Sequence, residues 1–185
     1  MSGFIPDIVA RNYRNKDFSG SFDASVLFFD MTGFTQMTTT LMQQEKKGAE
    51  ILSQLLKDLF GRIVDVIHKQ GGFISTFAGD AATAIFPETN SGNVFDAAIK
   101  IRKIFDDLHI QQTEFGEFIL DVRIGIDAGI LNWGIFSFEK NSTFFFKGEP
   151  IDGAARAEHI ADKRQIIATE NVRSLSLPES YALHE

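Results

Sequence analysis

Cysteine is absent from the 185 residues. That removes a disulfide framework, a thiolate zinc site and a cysteine nucleophile from consideration. No run of eighteen apolar residues occurs, so no segment reads as a membrane-spanning helix. The opening MSGFIPDIVARNYRNKDF lacks the long apolar centre of a secretion signal, and the expected compartment is the cytoplasm. Positive charge is scarce too: 18 Lys and Arg stand against 25 Asp and Glu, a formal net charge of −7. Such a balance argues against a broad nucleic-acid surface. It leaves room for a small anionic substrate wherever local cations or metal ions offset the charge. Walker-type, GxSxG and dinucleotide motifs are all missing. The four histidines (His68, His109, His159, His184) stand at unrelated spacings and form no metal-ligand pair.

What remains is an ordinary folding chain. Hydrophobic residues make up 44% and charged residues 23%, a composition that folds rather than stays disordered. A globular chain of this length buries roughly 70% of its unfolded surface. The 19 phenylalanines imply a large aromatic core, or apolar area left for a partner. Residues 1–22 read as a polar, poorly structured lead-in, and 23–185 as one domain. The chain stops soon after the last expected strand, as one unit of a longer protein would.

Ser25–Asp30 is a continuous apolar run ending in an acid, the pattern of a strand buried on both faces. Met31–Thr35 is a turn carrying helix caps, followed by a polar helix over Gln36–Gln44. A second helix starts near Lys46, with Leu52, Leu55, Leu56, Leu59, Ile63 and Ile67 on one stripe, and ends at Gly71-Gly72. Strands at Phe73–Phe77 and Ala81–Phe86 flank Ala78-Gly79-Asp80, a hairpin with an acid at its tip. A helix follows over Asn93–His109, then strands at Phe118–Ile126, Leu131–Phe138 and Thr143–Phe146. Last come a short helix over Asp152–Ile160 and a strand over Arg164–Thr169. The order predicts an α+β fold, a ferredoxin-like βαββαβ core with extra strands.

That core sets its first strand beside a hairpin strand, so Asp30 and Asp80 can meet at one end of the sheet. Two converging carboxylates repel unless a hard divalent cation sits between them. Thr32-Gly33-Phe34 adds backbone N–H groups at a helix start, a setting for phosphate. On the residue pattern alone a plainer reading stays open, with Asp30 as a cap and Asp80 as a turn residue. Arg123 and Arg156 likewise read equally well as surface ion-pair partners, and Asp152 as a helix cap.

Four segments resemble, in order and separation, the successive motifs of the class III nucleotide cyclases. They are SVLFFDMTGFTQM, GGFISTFAGDAATAIF, VRIGIDAG and KGEPIDGAARAEHI. Within that family the likeness is greatest to the first catalytic domain of soluble, bicarbonate-type adenylyl cyclases. The resemblance implies that Asp30 and Asp80 bind two Mg²⁺ or Mn²⁺ ions, assisted by the Met31 carbonyl. It also implies that Thr32, Gly33 and Phe34 cradle phosphate, that Arg123 binds it, and that Arg156 stabilises the transition state. The substrate would be ATP and the products cyclic AMP and pyrophosphate.

Three positions depart from the family pattern. Thr76 stands where the family has a base-reading lysine, Phe145 where it has that lysine's polar partner, and Asp152 where it has an asparagine. Threonine is too short to reach a base edge, phenylalanine cannot exchange hydrogen bonds with a purine, and Asp152 adds negative charge near a polyphosphate. Thr76 also removes half of the bicarbonate sensor that the resemblance implies. Family active sites form between two domains. This chain is therefore expected to be the metal-donating half of an asymmetric pair, completed by a second cyclase domain and weak or inactive as a homodimer. The alternative expectation is a regulatory cyclase-homology module that binds a nucleotide or a partner without turnover.

Overall fold

The computed structural model describes residues 5–87, 92–139 and 141–174. Helix α1 (Asp7–Asn15) leads into β1 (Ser19–Thr32), α2 (Phe34–Met42) and the long α3 (Glu45–Lys69). The hairpin β2 (Phe73–Ala78) and β3 (Ala81–Pro87) precedes α4 (Gly92–Asp107). A small hairpin, β4 (Ile110–Thr113) and β5 (Gly116–Ile119), leads to β6 (Asp121–Phe138) and β7 (Asn141–Lys147). Helix α5 (Glu149–Ile160), β8 (Ile166–Ala168) and a 3₁₀ turn (Glu170–Ser174) follow.

The main sheet runs β2-β3-β1-β6-β7, with β8 added parallel to β6 and every other pairing antiparallel. Strand β1 lies between β3 and β6, as the expected α+β, ferredoxin-like core requires. Alternation along β1 splits its side chains between two faces. Leu27, Phe29 and Met31 join the core under α2, α3 and α4. Ala24 and Val26 face the opposite way, in the cluster that holds Ala154 of α5. Leu52, Leu59, Ile63 and Ile67 of α3 are buried, so the stripe read from spacing is the face that packs.

Two glycines let α5 sit close on β6. A Cβ on Gly125 would lie 2.0 Å from the Ala154 carbonyl oxygen, and one on Gly153 would lie 1.7 Å from Asp127 Oδ2. Helix and strand therefore meet backbone to backbone. Asp127 Oδ1 accepts from the Ala128 N–H and from Asn171 Nδ2, and Thr169 Oγ1 also donates to it.

Four expectations are corrected. The lead-in is not poorly structured over residues 7–15 and 19–22: the first stretch forms α1, whose Val9 packs with Trp133 and Ile135, and the second begins β1. The expected strands at 118–126 and 131–138 are one strand, β6, because its pairing with β1 runs unbroken through Gly129 opposite Ala24. Phe118 belongs instead to the unforeseen β4–β5 hairpin. Helix α5 starts at Glu149, with Gly148 at the N-cap, so Asp152 stands inside the first turn rather than capping it. There its charge meets the positive end of the helix.

Candidate active site

Asp30 stands near the end of β1, opposite Ala81 of β3 on one side and Arg123 of β6 on the other. Asp80 occupies the β2–β3 turn, made tight by Gly79 at φ 65°. The Met31 N–H donates to the Asp80 carbonyl at 3.1 Å, which ties the turn to the end of β1. Asp80 thus directly precedes Ala81, the residue paired with Asp30, and both acids stand at one end of the sheet. Thr35 Oγ1 donates to Asp80 Oδ2 at 2.9 Å, so the first turn of α2 orients that carboxylate.

The β1–α2 corner depends on glycine. Gly33 has φ 85°, and a Cβ there would lie 1.9 Å from the Ile119 carbonyl oxygen. Its own carbonyl accepts from the Met37 N–H at 3.1 Å. Phe34 packs edge-on against Phe60, with ring centroids 6.2 Å apart, and so anchors the helix start to α3. The Thr32–Phe34 corner lies next to Asp30 in the chain, and Thr35 beyond it reaches Asp80.

Arg123 connects this end of the sheet to α5. Its Nη2 donates to Asp30 Oδ2 at 2.6 Å, and its Nε lies 2.9 Å from Glu158 Oε1. The first contact, with help from both acids' charges, raises the guanidinium pKa against the opposing effect of burial. The second is a charge contact that lacks hydrogen-bond alignment. Burial accordingly pushes the Glu158 carboxyl up, Arg123 pulls it back in part, and the Asp30 charge adds to the rise. Glu158 was missed by sequence reasoning. A signal was available: it is an acid lying between Ala157 and Ala161 on the apolar side of α5.

Arg156 stands apart from this group. It is exposed, and its Nη2 donates to Glu149 at the start of its own helix, which raises its pKa. Two of the three positions that depart from the motif pattern meet in another place. Thr76 and Phe145 line one cavity of about 230 Å³, together with Ser75, Thr83, Phe144, Phe146 and Ile151. Asp152 does not line it; its charge instead adds to the rise of the Arg156 pKa. Phe145 also stacks on the exposed Phe136, with centroids 5.4 Å apart and planes 20° from parallel.

Among the described residues no group of three or more His, Asp or Glu side chains converges on one point. Two carboxylates and a backbone carbonyl are a donor set for a hard cation that takes its other ligands from substrate and water. Arg123 engages one Asp30 oxygen and so holds a positive charge where such a cation would bind. The residues fit that group.

Residues 19–185 match the model of the adenylate and guanylate cyclase catalytic domain. The chain belongs to this family. Adenylate cyclase type 10 of Homo sapiens is 29% identical over 181 residues, covering 92% of this chain and 11% of that protein. Adenylate cyclase of Anabaena cylindrica is 30% identical over 166 residues, covering 86% of this chain and 32% of its own length. The chain therefore spans about a tenth to a third of these relatives. Among solved structures, the guanylyl cyclase Cya2 superposes with a TM-score of 0.68 at 22% identity, covering 85% of this chain and 79% of that one. At that identity the likeness concerns the fold. No helix among the described residues is long and apolar enough to cross a membrane.

Proposed function

We propose that this domain is the metal-donating half of an adenylate cyclase that forms cyclic AMP and pyrophosphate from ATP. The observation that carries the reading is a division within the chain. The acids, their Thr35 and Arg123 partners and the glycine corner stand together. The base-reading positions instead border a cavity lined by phenylalanine.

In the reaction the ribose 3′-oxygen bonds to the α-phosphorus, the bond to the pyrophosphate oxygen breaks, and the hydroxyl proton leaves to solvent. Two Mg²⁺ or Mn²⁺ ions, held by Asp30, Asp80 and the Met31 carbonyl, would supply Lewis-acid activation and neutralise the triphosphate. The N–H groups of the Thr32–Phe34 turn would hold phosphate at the start of α2, and Arg123 would bind it as a fixed cation. Arg156 lies exposed on α5, a position suited to a cleft shared with a second domain. Positioning and charge account for the rate, and no side-chain nucleophile is needed.

The complementary domain would read the base and supply the remaining transition-state groups, either from elsewhere in a longer chain or as a separate subunit. A homodimer of this domain would lack base readers at both clefts. The test is cyclic AMP formation from Mn²⁺-ATP by this domain alone and mixed with a cyclase domain that carries the lysine, the asparagine and the arginine. Turnover is expected only in the mixture, and only with Asp30 and Asp80 intact. Full-rate turnover by the isolated domain, or metal-independent nucleotide binding that survives Asp30→Ala, would sink the proposal. The second of these results is what a regulatory module would give.

A further inference from the structure

Glu158 has no part in the chemistry above, yet it is a buried acid, 6% exposed. It cannot easily turn away. The α5 backbone at Glu158 presses on β6, where a Cβ on Gly125 would lie 2.3 Å from the Glu158 nitrogen and 3.0 Å from its Cα. Its carboxylate is thereby aimed at the Nε edge of Arg123 while Asp30 holds the Nη2 edge. One guanidinium thus bridges two carboxylates on two elements, and the trio carries a net negative charge when both acids are ionised.

An arginine whose sole partner was Asp30 would compete with any cation drawn to that carboxylate. A second anchor changes the outcome, because the side chain can leave Asp30 without leaving the site. We propose that Glu158 is a positioning residue: it keeps Arg123 tethered through Nε when a divalent cation takes Asp30, freeing the Nη edge for phosphate. This rests on the reading of Asp30 and Asp80 as metal ligands. The role belongs to α5 and β6 together, since the Gly125 contact fixes where the anchor stands.

Two measurements on the 185-residue chain test it without turnover. The first is Mn²⁺ affinity without nucleotide, read by calorimetry in wild type, Glu158→Gln, Arg123→Gln and the double variant. Removing the Glu158 charge is expected to weaken Mn²⁺ about fivefold when Arg123 is present and less than about twofold when it is not, a coupling typical of residues in one ion-pair network. Equal weakening in both backgrounds means that Glu158 acts only as a distant charge and overturns the tethering role. The second uses wild type alone, so it survives a variant that fails to fold. Adding Mg²⁺ is expected to shift the Arg123 Nη protons in nitrogen-15 NMR while the Nε proton stays protected; loss of the Nε signal on adding Mg²⁺ overturns the proposal. If Asp30→Asn leaves Mn²⁺ affinity unchanged, the metal reading itself fails and the tether with it, a result distinct from either of the others.

Discussion

Two places on this domain differ in the groups they bring together. At the end of β1 and β3, charged and polar groups stand in mutual contact: Asp80 with Thr35, and Asp30 with Arg123 and through it Glu158. Across the sheet, between β2 and β7, Thr76 and Phe145 border a cavity that Ser75, Thr83, Phe144 and Phe146 also line. The first place is a network of charged and hydrogen-bonded side chains. The second sets hydroxyls beside aromatic rings and is lined by no charged side chain. The sheet unites both because β1 is central and its two faces are both covered.

The widest break in this comparison comes from the acids. Asp30→Ala or Asp80→Ala is expected to lower cyclic AMP formation by the reconstituted pair at least about 10³-fold, the scale at which loss of a key charge-stabilising group acts. A steady-state assay checks it, with melting curves to show that the variants fold. A loss below tenfold would place the chemistry elsewhere.

Next is the seam that holds α5 in place. Gly125→Ala drives a methyl group into the Ala154 carbonyl and the Glu158 N–H. We expect a loss of about 3 kcal/mol in urea unfolding, as for other steric clashes in a packed interior. Gly61→Ala is the control, because a Cβ there meets nothing within 4 Å and alanine favours the helix by about 1 kcal/mol or less.

The aromatic cavity should respond by packing alone. Phe145→Ala removes the stacking on Phe136 and enlarges the space beside Thr76. A cost of about 1–2 kcal/mol is expected for a half-buried aromatic pair, with Mn²⁺ affinity unchanged in calorimetry. A parallel fall in Mn²⁺ affinity would show that the two places are coupled and spoil the contrast.

The smallest effect concerns acidity. Burial holds the Glu158 carboxyl above its ordinary 4.5, so the folded chain binds that proton more tightly than the unfolded one. The associated stability is complete below the unfolded value and is lost as pH rises through the folded value. The melting temperature of wild type relative to Glu158→Gln should therefore fall as pH rises from about 4.5. A gap that widens in favour of wild type over that range would reverse the sign of the burial effect.

Much of this was legible in the chain itself. The apolar run at Ser25–Asp30, the stripe on α3 and the Gly79-Asp80 tip each signal an element through nearby residues, and nearby residues formed it. What escaped reading depended on distant ones. Gly129 looks like a break between strands, but fourteen consecutive pairings with β1 carry β6 straight past it. Helix α1 has little apolar surface of its own and is secured by Val9 against Trp133 and Ile135. Thr35 and Glu158 are ordinary polar residues until the fold aims them at Asp80 and Arg123.

The sequence by itself determined most of the elements, the order of the four motifs and the residue types available at each, because periodicity and residue type are local properties. Only the tertiary structure decided which of those groups meet. The β1–β6 register sets Asp30 against Arg123, and the close approach of α5 at Gly125 brings Glu158 to the same guanidinium. Ion pairing acts over a few ångströms, and residues far apart in the chain reach that range only when strand pairing and helix docking have fixed their backbones.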